Sequence, residues 1–302
     1  MTPIAITLIL LSAVIHAGWN LVSKRSSPTA AFFLMADSLG CLCFAPLLLI
    51  YWHVVGLFPA SVWLLLGAAG LCQAGYYCAL AGAYRAGDMS IAYPLARSSP
   101  LIVVTIATLL LGHGDQVSAQ CIIGIVLVVL GALLLPMRRF NDFDTRNYLN
   151  ISCLMALGAA FGTAGYTIVD DHALKLVRGS LTIPADLYCA PVVYVVFEGL
   201  STSLWMAAFV SWRRGNRDEL RTIVRSRWRQ AALTGAAIYV TYALVLISMG
   251  FVDNVSYVAA FRQVSIPLGV LLGVLVLKEA AHPPKFFGMM TMFAGLVLVG
   301  TG

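Results

Sequence analysis

Long apolar runs recur along the chain, separated by short polar connections. They fall at 3–23, 30–52, 61–84, 89–111, 117–136, 149–170, 186–212, 230–250, 255–277 and 284–301. Each is near the ~20 residues that carry a helix across roughly 30 Å of hydrocarbon at about 1.5 Å per residue. A strand of a membrane barrel needs alternating polar and apolar positions. Residues 122–135 and 287–300 show no such alternation. The pattern therefore predicts an all-α integral membrane protein of ten spanning helices.

Composition sharpens this reading. Of 302 residues, 60% are hydrophobic and 11% charged, against about 25% charged in soluble domains. A soluble fold has nowhere to put so much apolar surface. Lipid accepts it, provided the helices satisfy their own backbone.

The net charge of +6 follows topology rather than a phosphate-binding face, so no nucleic-acid partner is expected. Lys24, Arg25, Arg85, Arg138, Arg139, Arg146, Arg213, Arg214, Arg217, Arg221, Arg225, Arg227, Arg229 and Lys278 fall in odd-numbered connections, and Lys285 stands at the edge of the ninth. Even-numbered connections hold only Lys175 and Arg178, and Arg97 and Arg262 lie inside predicted spans. Basic connections stay in the cytoplasm. The expectation is a multi-pass protein of the inner (plasma) membrane with both termini outside. No Lys or Arg precedes Lys24, so the first run reads as a retained helix rather than a signal peptide. The seven cysteines lie in or beside apolar stretches and read as small buried hydrophobes, with no metal site and no disulfide framework.

An internal repeat is visible. Asp115, Gly124 and Gly131 match Glu279, Gly288 and Gly295 at one constant offset of 164 residues. Ser90 and Pro100 correspond loosely to Ser256 and Pro267, and the 17–19 segment resembles 164–166. Five helices per half is an odd number, so the second half enters the membrane from the other side. Inverted repeats of this kind mark secondary transporters.

Two segments carry a resemblance to a known family. The first runs from His16 to Lys24 (HAGWNLVSK) and the second from Gly87 to Pro100 (GDMSIAYPLARSSP). Both resemble EamA-type members of the drug/metabolite transporter superfamily, and the likeness extends over the chain as two EamA-like repeats, 1–148 and 149–302. The resemblance implies two inverted five-helix repeats around a central cavity, with export or exchange of small solutes. There are departures. The second repeat offers Asp170 and Asp171 where the family often has a basic residue. The acid after the fourth helix is displaced by 112–114 to Asp115.

The candidate site comes from polar groups at membrane depth. Ser12, His16, Asn20 and Ser23 line one face of the first helix, bordered by Trp19. Such a face points at protein or at a watery cavity, and interhelical hydrogen bonding is the other reading. Ser90, Tyr93, Arg97 and Pro100 fall near one face of the fourth helix, where Pro94 and Pro100 each remove an N–H and predict a broken helix. Tyr257, Arg262, Ser265 and Pro267 repeat the theme in the ninth. Arg97 and Arg262 could hold a carboxylate or phosphate, or lock helices. Glu198, the deepest acid, is a candidate proton carrier or a partner for an arginine; Asp37 is a weaker one. Tyr76, Tyr77, Tyr166, Tyr194, Tyr239 and Tyr242 suit a pocket for an amphiphilic solute as well as plain packing. Tyr51, Trp52, Tyr84 and Trp212 read as interface anchors.

Several features read as architectural. The 87–90 segment looks like a helix stop followed by an N-cap, and Gly250, Asp253 and Asn254 repeat it. Asp115 and Glu279 precede the last helix of each half, where an acid complements the helix dipole. Gly67, Gly70, Gly124, Gly131, Gly158, Gly162 and Gly165 permit close packing.

No metalloprotease, nucleophile-elbow or phosphate-loop motif occurs, which argues against a membrane enzyme. The reading is a monomeric secondary transporter that needs no cofactor. It moves a small metabolite, amino-acid-like or an organic anion, by alternating access, with protons as a candidate coupling ion. A lipid or lipid-linked-sugar flippase is the alternative.

Overall fold

The computed structural model describes residues 3–26, 28–110, 118–144, 148–181, 183, 186–212, 214–249 and 262–301, the side chains of 101–110, 187, 188, 214, 216, 246, 249 and 300 excepted. No strand occurs among the described residues. The helices are α1 (Pro3–Arg25), α2 (Ala30–Phe44), α3 (Pro46–Ile50), α4 (Trp52–Val55), α5 (Ala60–Ala86), α6 (Met89–Leu110), α7 (Ala119–Leu134), α8 (Ile151–Ser180), α9 (Asp186–Trp212), α10 (Arg214–Ser226), α11 (Trp228–Met249), α12 (Ser265–Val276) and α13 (Pro283–Thr301). Among the described residues, α1, α2 with α3, α5, α8 and α9 are long and apolar enough to cross a membrane, and α7, α12 and α13 are shorter apolar helices.

Three starts show why helices begin where they do. Thr29 accepts the Phe32 N–H (3.2 Å), Ser118 that of Cys121 (3.0 Å) and Asn150 that of Cys153 (2.9 Å). Each cap satisfies a donor the helix cannot, worth about 1 kcal/mol.

The distribution of polarity is inverted relative to a soluble fold. Leu49, Leu64 and Leu275 are 83%, 80% and 72% exposed, whereas Asn20, Asp37 and Glu198 are buried. Apolar residues outside and polar residues inside suit a multi-pass membrane protein whose solvent on the flanks is hydrocarbon.

Several expectations change. The second span is not one rod, because Pro46 stops α2 and starts α3, as a ring without an N–H does. The fourth is not broken: α6 runs through Pro94 and Pro100 without interruption. The segment after α9 is a helix, α10, which turns Leu220 and Ile223 inward against the core and leaves Arg217, Arg221 and Arg225 exposed. The ninth span resolves as α12 from Ser265, with Val264 at its N-cap and a turn at 263–264 that sets Arg262 apart. Asp115, the 112–114 insertion, Gly250, Asp253, Asn254, Ser256 and Tyr257 lie outside the described residues.

Packing joins the two halves of the chain rather than each half to itself. The heaviest pairings are α5 on α8, α7 on α13, and α1 and α2 on α11; α6 sits between α8 and α12, and α9 on α5 and α2. At one end the basic connections are sewn together. Lys24 Nζ donates to the carbonyls of Tyr84 and Gly87, Ser152 Oγ to Ala83 O (2.9 Å) and Arg227 to Ser26 O (2.7 Å). A second apolar cluster closes the other end, where Val54, Phe58 and Val62 meet Leu174, Val177 and Val193.

Candidate functional site

The polar interior begins on α1. Ser12 Oγ donates to Thr241 O of α11 (3.0 Å). Asn20 is engaged at both ends of its amide: its Nδ2 donates to His16 O (2.8 Å) and its Oδ1 accepts from the Tyr84 hydroxyl (2.7 Å). Tyr84 is thus a buried bridge between α5 and α1 and not an interface anchor, since burying its hydroxyl requires a partner. One turn away, the His16 ring lies edge-on to Trp19 (5.0 Å between centroids) and tilted against Tyr93 of α6 (6.0 Å). Trp19 is buried with its indole N–H unpartnered.

α6 carries Tyr93 and Arg97 four residues apart, hence on one face. The Tyr93 ring lies against Gly269 of α12, where a Cβ would sit 2.4 Å from it. The hydroxyls of Tyr93 and Ser265 approach each other without closing a bond within 3.5 Å. Arg97 is half-buried with its Nε buried and unpartnered. Arg262, also half-buried, stands at the turn before α12. The fields of both guanidinium groups reach His16, Tyr93 and Tyr166. The structure therefore brings Arg97, Arg262, Tyr93, His16, Trp19 and Tyr166 into one region built from α1, α6, α8 and the start of α12. Tyr76 joins it through Tyr166 (6.1 Å between rings).

Two predicted residues stand deeper in the packing. Tyr77 is stacked on Phe33 (5.1 Å, 19° between planes). Tyr239 rests on Gly40 and reaches Gly199, where a Cβ would collide with its hydroxyl, and its ring meets Phe44 (5.2 Å).

Acids form a second locus. Asp170 Oδ1 accepts from the Tyr194 hydroxyl (2.8 Å). Asp37 Oδ2 accepts from Ser203 Oγ (2.8 Å), which also lies 3.0 Å from Ser38 Oγ. Glu198 is 4% exposed, and among the described residues nothing hydrogen-bonds its carboxylate. Its field is shared with Asp170 and Asp37. None of the three acids and neither arginine enters an ion pair within 4 Å among the described residues. Asp170 as a member of this locus was not expected from the sequence. Its signal was the acid standing where the resemblance called for a base. No group of three or more His, Cys, Asp or Glu able to hold a metal ion occurs among the described residues.

At the basic end the structure corrects the reading of Glu279. Its carboxylate does not serve the following helix α13. Instead Oε1 and Oε2 accept the N–H groups of Met89 and Ser90 (2.7 and 2.8 Å) at the start of α6, in the other half of the chain. Lys278 takes the left-handed conformation (φ 57°), which turns the chain so that Glu279 faces α6. The expected cap from Asp88 is displaced, and Asp88 lies 3.8 Å from Lys285 Nζ instead. Lys285 is buried, donating to Ser90 Oγ (2.8 Å) and Ala280 O (2.6 Å). The acid that serves this helix start is remote in sequence, so spacing alone could not reveal it.

Against known proteins, residues 3–137 match the EamA-like transporter family. The chain is similar to a WAT1-related protein of Arabidopsis thaliana, 29% identical over 152 residues. That stretch is 49% of this chain and 36% of the relative, so the match spans about a third of the relative's length. The first-helix motif around His16 and Asn20 and the fourth-helix motif around Tyr93 and Arg97 both fall within the matched residues. Over residues 3–137 the chain is therefore similar to the EamA-like transporter family.

Proposed function

We propose that the chain is a secondary transporter that carries a small metabolite bearing a carboxylate by alternating access, in export or exchange. The observation that carries this reading is the pair Arg97 and Arg262, one from each half, half-buried and without a carboxylate partner among the described residues. An arginine at membrane depth costs several kcal/mol unless it is hydrated or paired, and a guanidinium holds a carboxylate with two parallel hydrogen bonds. Tyr93, His16, Trp19 and Tyr166 would supply the apolar walls, with Asn20, Tyr77 and Tyr239 holding the helices that carry them.

The reading includes ten spans in two inverted repeats, 1–148 and 149–302. The packing supports it. Exchanging α1 with α8, α2 with α9, α5 with α11, α6 with α12 and α7 with α13 turns the pairing α5–α8 into α11–α1, α2–α11 into α9–α5 and α6–α8 into α12–α1, all of which occur. Two such halves can rock about a shared axis. The basic end would face the cytoplasm of an inner membrane, and the chain would act as a monomer. Glu198 would take up and release the coupling proton.

The test is uptake and efflux in proteoliposomes against a panel of small carboxylates, with and without a pH gradient. Arg97→Ala and Arg262→Ala are expected to lose transport at least tenfold with intact expression, and Arg97→Lys to recover only part of it. Normal transport by both Arg97 variants refutes the carboxylate site. Unchanged pH dependence in Glu198→Gln refutes the proton role.

A further inference from the structure

Oppositely charged groups buried in the same interior normally pair, because each isolated charge in a low dielectric is costly. Here they are held apart. Arg97 and Arg262 form no ion pair, and neither do Asp170 and Glu198, among the described residues. Yet the two sets are neighbours. Tyr166 lies in the fields of Arg97, Arg262 and Glu198 together. Tyr242 lies in those of Glu198, Asp170 and Arg262. The two tyrosines thus lie within reach of both loci; Tyr166 precedes Asp170 by one turn on α8 as Tyr194 precedes Glu198 on α9, and the Tyr194–Asp170 bond joins those two faces.

The acids differ in how far they are satisfied. Asp37 accepts from Ser203, which also lies against Ser38, so its carboxylate is tied into a hydroxyl pair that bridges α2 and α9. Asp170 is oriented by the Tyr194 hydroxyl, and that bond spans α8 and α9. Glu198 is 4% exposed and its carboxylate receives no hydrogen bond among the described residues. A buried carboxylate without donors, beside one aimed by a tyrosine and next to further aromatic rings, has the makings of an ammonium site. Carboxylates supply the charge, and tyrosine faces attract the cation.

We infer that Asp170 and Glu198, with Tyr166 and Tyr242, form a subsite for the amine of a zwitterionic cargo. This rests on the proposed function, in which the arginines hold the carboxylate of the same molecule. Keeping the two sets of charges unpaired is then a form of preorganisation, since a dipolar solute completes both at once. A simple organic anion would leave the acids unsatisfied.

The test uses the full chain purified and reconstituted. Ligand binding is read by counterflow and by ligand-induced shifts in melting temperature. The probes are several amino acids, each with its deaminated acid and its decarboxylated amine. The variants are Asp170→Asn and Glu198→Gln, with Asp171→Asn as control, since Asp171 is exposed and pairs with Lys175 (2.6 Å). The expected result is that wild type prefers an amino acid over its deaminated acid by tenfold or more. Both acid variants should lose that preference while still binding the deaminated acid, and the control should keep it. Equal binding of amino acid and deaminated acid by wild type overturns the inference and leaves the carboxylate reading standing. Binding of amines that depends on Asp170 and Glu198, with no binding of deaminated acids, upholds the amine subsite and overturns the carboxylate reading. Acid variants that melt like wild type and keep its preference overturn the inference.

Discussion

Gly124 of α7 and Gly295 of α13 approach so closely that a Cβ on either would meet the other's carbonyl oxygen, at 2.6 and 2.5 Å. Gly131 and Gly288 repeat the contact, at 2.5 and 2.6 Å. The four residues are those related by the 164-residue offset, with partners exchanged: Gly124 meets the equivalent of Gly131, and Gly131 the equivalent of Gly124. That reciprocity is what a two-fold-related interface produces.

A leucine at Gly131 is expected to destabilise the protein by about 3 kcal/mol, at the upper end of ordinary overpacking, because the obstacle is backbone and cannot rotate away. Gly67 has no atom within 4 Å of an added Cβ, so Gly67→Ala should leave the melting temperature in detergent unchanged. Equal effects of the two substitutions would contradict the close contact. Gly67 also departs from its reading as a close-packing glycine.

The Asn20–Tyr84 bond predicts coupling. Asn20→Ala and Tyr84→Phe each remove one partner of a buried pair and should each cost about 1–3 kcal/mol. Made together they should cost less than the sum, by about 1 kcal/mol. A double-mutant cycle on thermal unfolding checks this, and strict additivity would show that the bond contributes nothing.

Glu279 holds two backbone donors at the start of α6. Glu279→Ala leaves both unpaired and removes a negative charge from a helix start, a loss of about 1–2 kcal/mol. Glu279→Gln keeps one acceptor and should fall between alanine and wild type. Thermal unfolding ranks the three, and a glutamine variant as weak as alanine would assign the effect to charge alone.

The basic end and the end containing His53 should lie on opposite sides of the membrane. His53 is exposed, beside Asp186 (3.1 Å); Arg221 is exposed on α10. In a background without native cysteines, a membrane-impermeant thiol reagent applied to intact cells should label His53→Cys and spare Arg221→Cys. Labelling of both, or of Arg221→Cys alone, would overturn the orientation.

The sequence by itself determined the helical class, the placing of the apolar runs, the clustering of basic residues in alternate connections and the matching acids and glycines at one constant offset. These are local or periodic properties: hydrocarbon thickness sets run length, and a helix closes its own hydrogen bonds. It also pointed to Arg97 and Arg262 as costly charges at depth. Only the tertiary structure decided who meets whom. Glu279 serves α6 and not α13, Tyr84 bonds Asn20 instead of the interface, α6 passes unbroken through two prolines, and Asp170 joins Glu198. Each of these depends on residues tens to hundreds of positions apart that helix packing brings within a few ångströms, and no spacing along the chain encodes such a contact.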